Sequence, residues 1–374
     1  MIKFGFRRSL LYPGLFILFI CLRRITKYIL ETFVAKGLKF SFLMIILIFV
    51  CEIIIGIIYL LYQKKESSSP MKSQFLGIPL NNEYAVLTRP DGNFRIILIV
   101  FFASFFTFEG AVSRRYVTNH SQKDIYDEFH AKYRSSEIII ASILCYFTLK
   151  NKIYRHHSFS LIIILICLII VFSVGIISND HKKDLLENIG ITLVSSICRA
   201  FLDTSEKYLF DINFVDIFKL MVFEGIISIL LSSTVYFFDR PKNEIKDLFD
   251  TDRGEFWGII LLLIVYGMLS GFKNVFRRYT VKKFTPMTRA LAESILDPIF
   301  IIYGYFQGNE DKLSNFITTL ICSFIMIFCS CIYNEVFVLY CFGLQNNTHL
   351  EIANQNESLE LSTDSDRNSI QNGF

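Results

Sequence analysis

Charged side chains inside apolar stretches are where this 374-residue chain could do chemistry. A charge at the centre of a bilayer costs about 2.5–3.5 kcal/mol on insertion scales, so the charges that persist face a protein interior or a cavity. Arg199, Asp203 and Glu206 follow one another at spacings of four and three, which places them on one helix face. Two arrangements fit that spacing. The three residues can line a cavity wall carrying both signs, or Arg199 can pair with Asp203 while Glu206 and Lys207 sit at the interface. Lys273 lies one turn before Arg277 and shares its face, with Asn274 beside it. A pair of this kind can clamp a phosphate or carboxylate, Arg277 as a planar fork and Lys273 as a point charge. Lys273, being deeper, is expected to face a cavity. Arg278, Lys282 and Lys283 are expected to reach the interface by snorkelling.

Two single acids, Glu109 and Glu224, precede Gly110 and Gly225 near segment ends, where the glycines permit close helix contact. A partly buried carboxylate is the natural proton carrier if transport is proton-coupled. The alternative for each is a structural pair with a nearby arginine. Arg289 opens its segment as Arg134 opens another, and both are expected near the interface. Asp297-Pro298 marks a kink, because proline removes a backbone hydrogen bond.

The elements that must carry these residues are apolar runs. About 20 apolar residues cross the hydrocarbon core, and ten runs qualify: 10–30, 40–62, 94–113, 135–150, 158–178, 188–209, 215–238, 256–276, 286–306 and 314–342. They are continuous rather than alternating, so they are helices. The expected fold is an all-α polytopic membrane protein of ten transmembrane helices. Residues 63–93 form a long polar loop holding three of the seven prolines, and 343–374 form a polar, disordered tail. Trp257 stands where an interfacial anchor would.

The second half echoes the first. FEGAVSRRYV at 108–117 aligns with GFKNVFRRYT at 271–280, and Lys27-Tyr28 matches Lys207-Tyr208. The expected organisation is a first five-helix repeat over 1–178 and a second over 188–342. Five helices per half make the second repeat inverted, with a site between the two. Segments one and six, three and eight, and four and nine would then face each other across a pseudo-two-fold axis.

Composition narrows the partners. Hydrophobic residues make up 53% of the chain and the mean hydropathy is +0.45, which points to the lipid bilayer. A net charge of +4 is too small to imply nucleic acid. Lys3, Arg7 and Arg8 before the apolar run Leu10–Leu22 imitate a signal peptide, but no small-residue cleavage site follows, so an uncleaved first helix is expected. The nine cysteines lie in or beside apolar segments and are read as small hydrophobes. His156-His157 has no ligand spacing to a cysteine or acid that resembles a zinc site, so no metal and no cofactor is expected. Three glycosylation triplets begin at Asn119, Asn346 and Asn356, a number that chance supplies in an Asn-rich chain.

The stretch 133–175, YRSSEIIIASILCYFTLKNKIYRHHSFSLIIILICLIIVFSVG, resembles the helix-four/helix-five unit of the drug/metabolite transporter superfamily. Residues 203–232 and 282–306, the latter with Thr288-Arg289, Ser294 and Pro298, resemble helices six to seven and helix nine of its solute carrier family 35 branch. The resemblance covers about 90–340. It implies ten helices, alternating access, and a polar, often anionic organic solute exchanged across an organelle membrane such as Golgi, endoplasmic reticulum or vacuole. It is compatible with a homodimer. The polar Tyr-Asn-Asn-type stretch of some nucleotide-sugar members is missing. A proton-coupled exporter of amino acids, peptides or drugs, like the relatives of the chloroquine-resistance transporter, is the alternative, as is a non-transporting protein retaining the fold. An enzyme is not expected: His120 and Asp124 have a crude acyl-transferase spacing but no phosphate cradle, and the repeat partner lacks them. A channel would need a ring of identical motifs or a re-entrant signature, and the chain has neither.

Overall fold

The computed structural model describes residues 2–4, 11–33, 41–67, 97, 100, 101, 104, 132–178, 182–239, 253–306, 313–339, 343 and 348. Within them the chain is a bundle of helices. These are α1 (Leu11–Phe33), α2 (Ser41–Ser67), α3 (Ser136–Thr148), α4 (Arg155–Ser178), α5 (Lys182–Asp211), α6 (Ile217–Asp239), α7 (Arg253–Lys283), α8 (Pro286–Ser294), α9 (Asp297–Phe306) and α10 (Leu313–Tyr333). Among the described residues, five stretches are long and apolar enough to cross a membrane: Leu43–Lys64, Arg155–Ile177, Ile217–Thr234, Phe256–Lys283 and Leu313–Tyr333. Their outer faces carry Ile58, Ile162, Leu230, Leu261 and Phe324, each more than half exposed, as lipid contact requires.

Several boundaries differ from the sequence expectation. The long loop starts later, because α2 continues through Gln63–Ser67. Segment nine is two helices, α8 and α9, joined by a turn at Ile295-Leu296. Pro298 has no N–H to continue the α8 ladder, and Ile299 and Phe300 both donate to Leu296 O instead. The tenth segment stops at Tyr333 rather than running to 342. The chain then pairs Phe337–Leu339 (β2) antiparallel with Ile2–Phe4 (β1), a two-stranded ribbon in a bundle expected to be purely helical. Of the segment at 94–113, only 97, 100, 101 and 104 are described, all helical. Glu109, the triplets at 119, 346 and 356, His120, Asp124 and nearly all of the tail lie outside the described residues.

Local chemistry fixes the helix starts. Asp216 Oδ1 accepts the backbone N–H of Phe218 (2.9 Å) and Lys219 (3.2 Å), capping α6. Thr285 accepts from Thr288 N at 3.1 Å with Pro286 in the first turn, capping α8. Thr288 then donates to Asn334 Oδ1 at 2.7 Å, tying the start of α8 to the end of α10.

Packing pairs α1 with α7, α2 with both α6 and α7, α3 with α5, and α4 with α10. Glycines permit the closest of these approaches, as small residues do between membrane helices. A Cβ at Gly267 would lie 2.8 Å from Cys51 Sγ, and one at Gly271 would lie 2.6 Å from Ile55 Cδ1, so the Gly267–Gly271 edge of α7 seats directly on α2. Gly225 of α6 would meet Ile53 at 2.7 Å. The sequence reading placed a close helix contact at that glycine.

Gly267→Leu should therefore destabilise the folded protein by about 1–3 kcal/mol through overpacking. Gly258→Leu, in the same helix with nothing within 4 Å of its new Cβ, should stay within about 0.5 kcal/mol. Thermal unfolding of the two detergent-purified variants checks this, and equal melting temperatures would contradict the packing described.

Candidate functional site

Charges from seven helices converge into one network. α7 brings Arg277 and Arg278, adjacent in sequence and about 9 Å before its end. Arg278 is 1% exposed. Its guanidinium meets Glu206 of α5 (Nε to Oε1, 3.0 Å), Glu52 of α2 (Nη1 to Oε2, 3.4 Å) and Glu224 of α6. Arg277 donates to Asp203 and Glu206 of α5. Asp203 also accepts from Arg289 of α8, whose remaining donors reach Glu137 of α3 and Glu293 one turn on (2.8 Å). Arg134, just before α3, bonds Asp297 at 2.9 Å and the Glu293 carbonyl at 3.1 Å. Asn274 donates to Glu52.

This geometry revises several sequence expectations. Arg199 does not pair with Asp203: it lies 3.7 Å from Glu293, and Asp203 is taken by Arg277 and Arg289. Glu206 is not at the interface but fully buried. Lys207, next to it, does reach a helix end, where it contacts Asp211 at 3.2 Å and the Lys282 carbonyl at 3.0 Å. Arg278 is the most enclosed cation of the group rather than a snorkelling one. Lys282 and Lys283, as expected, sit at the end of α7. Arg134 and Arg289, expected near the interface, are 3% and 2% exposed. The physical reason is common to these cases. Each guanidinium has carboxylates from other helices within reach, and a paired charge can stay inside where an unpaired one must leave.

Beside this network is a partly open cavity of about 120 Å³. Arg23, Arg199, Lys273, Arg277, Arg278 and Arg289 face it, against the acids Glu52, Asp203 and Glu293. Six cations and three acids line the wall, and Glu206, Glu224 and Glu137 behind it pair with Arg277, Arg278 and Arg289, so the charge of the whole cluster is close to balanced. Phe16 and Phe49 add an apolar flank. Lys273 is on the wall. Arg277 reaches the wall too, but Asp203 and Glu206 occupy its fork, so Lys273 and Arg277 do not form an open two-residue clamp.

Two helix interruptions flank the network. The chain turns at Arg134-Ser135 before α3 and at Ile295-Leu296 between α8 and α9. The ion pairs across them are reciprocal: Arg134 binds Asp297, and Arg289 binds Glu137. With 13 residues, α3 is about 20 Å long and begins among buried residues instead of at a surface.

Sequence reasoning passed over Glu52, Glu137, Glu293 and Arg23. A signal existed for Glu52, the lone acid in the centre of a span with mean hydropathy 3.0. Glu137 and Glu293 stood at segment starts that resembled interfacial positions.

Arg278→Met leaves Glu52, Glu206 and Glu224 without their shared cation and should cost about 3–5 kcal/mol. Glu224→Gln added to it should recover part of that loss, because one buried negative charge disappears. Melting temperatures of the single and double variants form the test, and an additive double variant would refute the coupling.

No family model matches the chain, and a search of curated proteins likewise finds no match.

Proposed function

We propose that this chain is a secondary transmembrane transporter of a polar, anionic organic solute that works by alternating access, in the manner of the drug/metabolite transporter superfamily and its solute carrier family 35 branch. The observation that carries the reading is the cation-rich cavity set among membrane-length helices, with Lys273 and Arg199 on its wall. Cationic side chains on the wall suit carboxylate or phosphate groups, and Phe16 and Phe49 offer a surface to an apolar or ring portion of the solute.

Two further features support ten crossings in two inverted repeats. The β1–β2 ribbon joins the start of the chain to the stretch after α10, so both stand on one side of the bundle, and an even number of crossings must separate them. The packing also maps onto itself when segments five apart are exchanged. The pairs α2 with α6 and α4 with α10 exchange into themselves, and α3 on α5 exchanges into the α8–α9 segment on α1, where α8 does pack. The reciprocal Arg134–Asp297 and Arg289–Glu137 pairs follow the same exchange. Interrupted helices at a midplane site are the usual device of such transporters. An organelle membrane is the compartment that goes with this family.

The purified protein reconstituted in liposomes should show saturable counterflow with one member of a panel of nucleotide sugars, nucleotides, sugar phosphates and amino acids. Lys273→Ala should lower that uptake by about tenfold, the effect of losing one charge-assisted contact, compared at equal amounts of folded protein. Uptake of cationic or neutral solutes alone would reject the anionic substrate. Flux appearing only under an imposed proton gradient would favour the exporter alternative. No flux from any solute would favour a non-transporting protein that keeps the fold.

A further inference from the structure

Away from the cavity, the start of α4 and the turn after α10 bring together three side chains able to ligate a metal. His156 and His157 lie in the first turn of α4, and Glu335 stands two residues past α10; their ligand atoms all lie within 4.8 Å of one another. His156 is 2% exposed, and neither of its ring nitrogens has a hydrogen-bond partner. Its Nε2 faces Glu335 Oε1 at 3.5 Å. Buried imidazole nitrogens are ordinarily hydrogen-bonded, and here both ring nitrogens remain open to a ligand, Nε2 on the side of the Glu335 carboxylate. Glu335 adopts φ 55, in the left-handed region that non-glycine residues seldom occupy. Bonds from Glu335 N to Ile332 O (3.0 Å) and from Val336 N to Cys331 O (2.9 Å) fix that turn and hold the carboxylate towards His156. The His157 ring lies 4.1 Å from that of His156 and 4.5 Å from that of Tyr333.

We infer that His156, His157 and Glu335 form a binding site for a divalent transition metal ion, zinc being the natural occupant. Two imidazoles and one carboxylate are a donor set that zinc accepts, with bonds of about 2.0–2.2 Å and a fourth position left for water. Tetrahedral ligands at those bond lengths stand about 3.4 Å apart. His156 Nε2 and Glu335 Oε1 already stand at about that spacing, 3.5 Å, and no separation in the group has to close by more than about 1.4 Å. His157 Nδ1 accepts from Tyr154 N at 3.2 Å, and coordination through that nitrogen exchanges one neutral hydrogen bond for a metal bond. The ion would link the start of α4 to the end of α10, two helices that already pack together, next to the β1–β2 ribbon. Sequence spacing hides the site because Glu335 follows the histidines by far more than one motif length.

The test uses the full chain purified in detergent and stripped with a chelator. Titration with zinc should show one tight equivalent per chain and a raised melting temperature. Cobalt(II) in its place should give the visible absorption of a four-coordinate ion. His156→Ala should abolish binding, and Glu335→Gln, nearly isosteric, should weaken it at least tenfold. If His156→Ala fails to fold, Glu335→Gln decides the matter. Absence of saturable binding, or unchanged affinity in Glu335→Gln, would overturn the proposal. Neither outcome bears on transport, since none of the three residues lines the cavity.

Discussion

A guanidinium cannot stay inside an apolar bundle without acids to meet it, and Arg278 draws those acids from three different helices. Glu52, Glu206 and Glu224 belong to α2, α5 and α6, so one side chain on α7 fixes the relative placement of four helices. Apolar packing alone does not specify this. Lipid tails are as apolar as leucine, and helices in a membrane gain little from hiding aliphatic surface from them. The buried ion pairs and the glycine contacts supply what aliphatic packing leaves undetermined. The penalty for removing one partner is large even where the pair itself adds little net stability.

The network also divides labour among cations that look alike. Arg277, Arg278 and Arg289 spend most of their donors on carboxylates of the protein. Lys273 and Arg199 face the cavity on the same wall. Network charge and cavity-facing charge are therefore adjacent and continuous. Changing the pairing of Arg277 or Arg289 would alter the field felt in the cavity. The interruptions at Arg134-Ser135 and Ile295-Leu296 place weak points in the backbone beside these pairs.

How much of this was legible depended on whether the signal was local. The apolar runs were, and so were the kink at Pro298, the shared face of Lys273 and Arg277, and the close approach at Gly225. The depth of a charge was not. Arg278 and Lys282 are four residues apart on one helix, yet one is enclosed by three acids and the other sits at a helix end. Glu52 was hidden by the strength of the span around it, and Arg134 and Arg289 by their position at segment starts, where interfacial charges are common. The pairing of β1 with β2 joins residues more than three hundred positions apart, and no periodicity announces it.

The sequence by itself determined that the chain is built of apolar helices, where its special backbone positions fall, and that acids and bases persist inside those helices at helical spacing. These follow from local physics: the length of an apolar run, the missing N–H of a proline, the period of 3.6. Tertiary structure alone decided which charge meets which, that Asp203 serves Arg277 and Arg289 rather than Arg199, and that His156, His157 and Glu335 share one place. Those outcomes depend on distances between helices far apart in sequence. Ion pairing and coordination fall off within a few ångströms, so only the packed arrangement can select among partners that sequence spacing leaves equivalent.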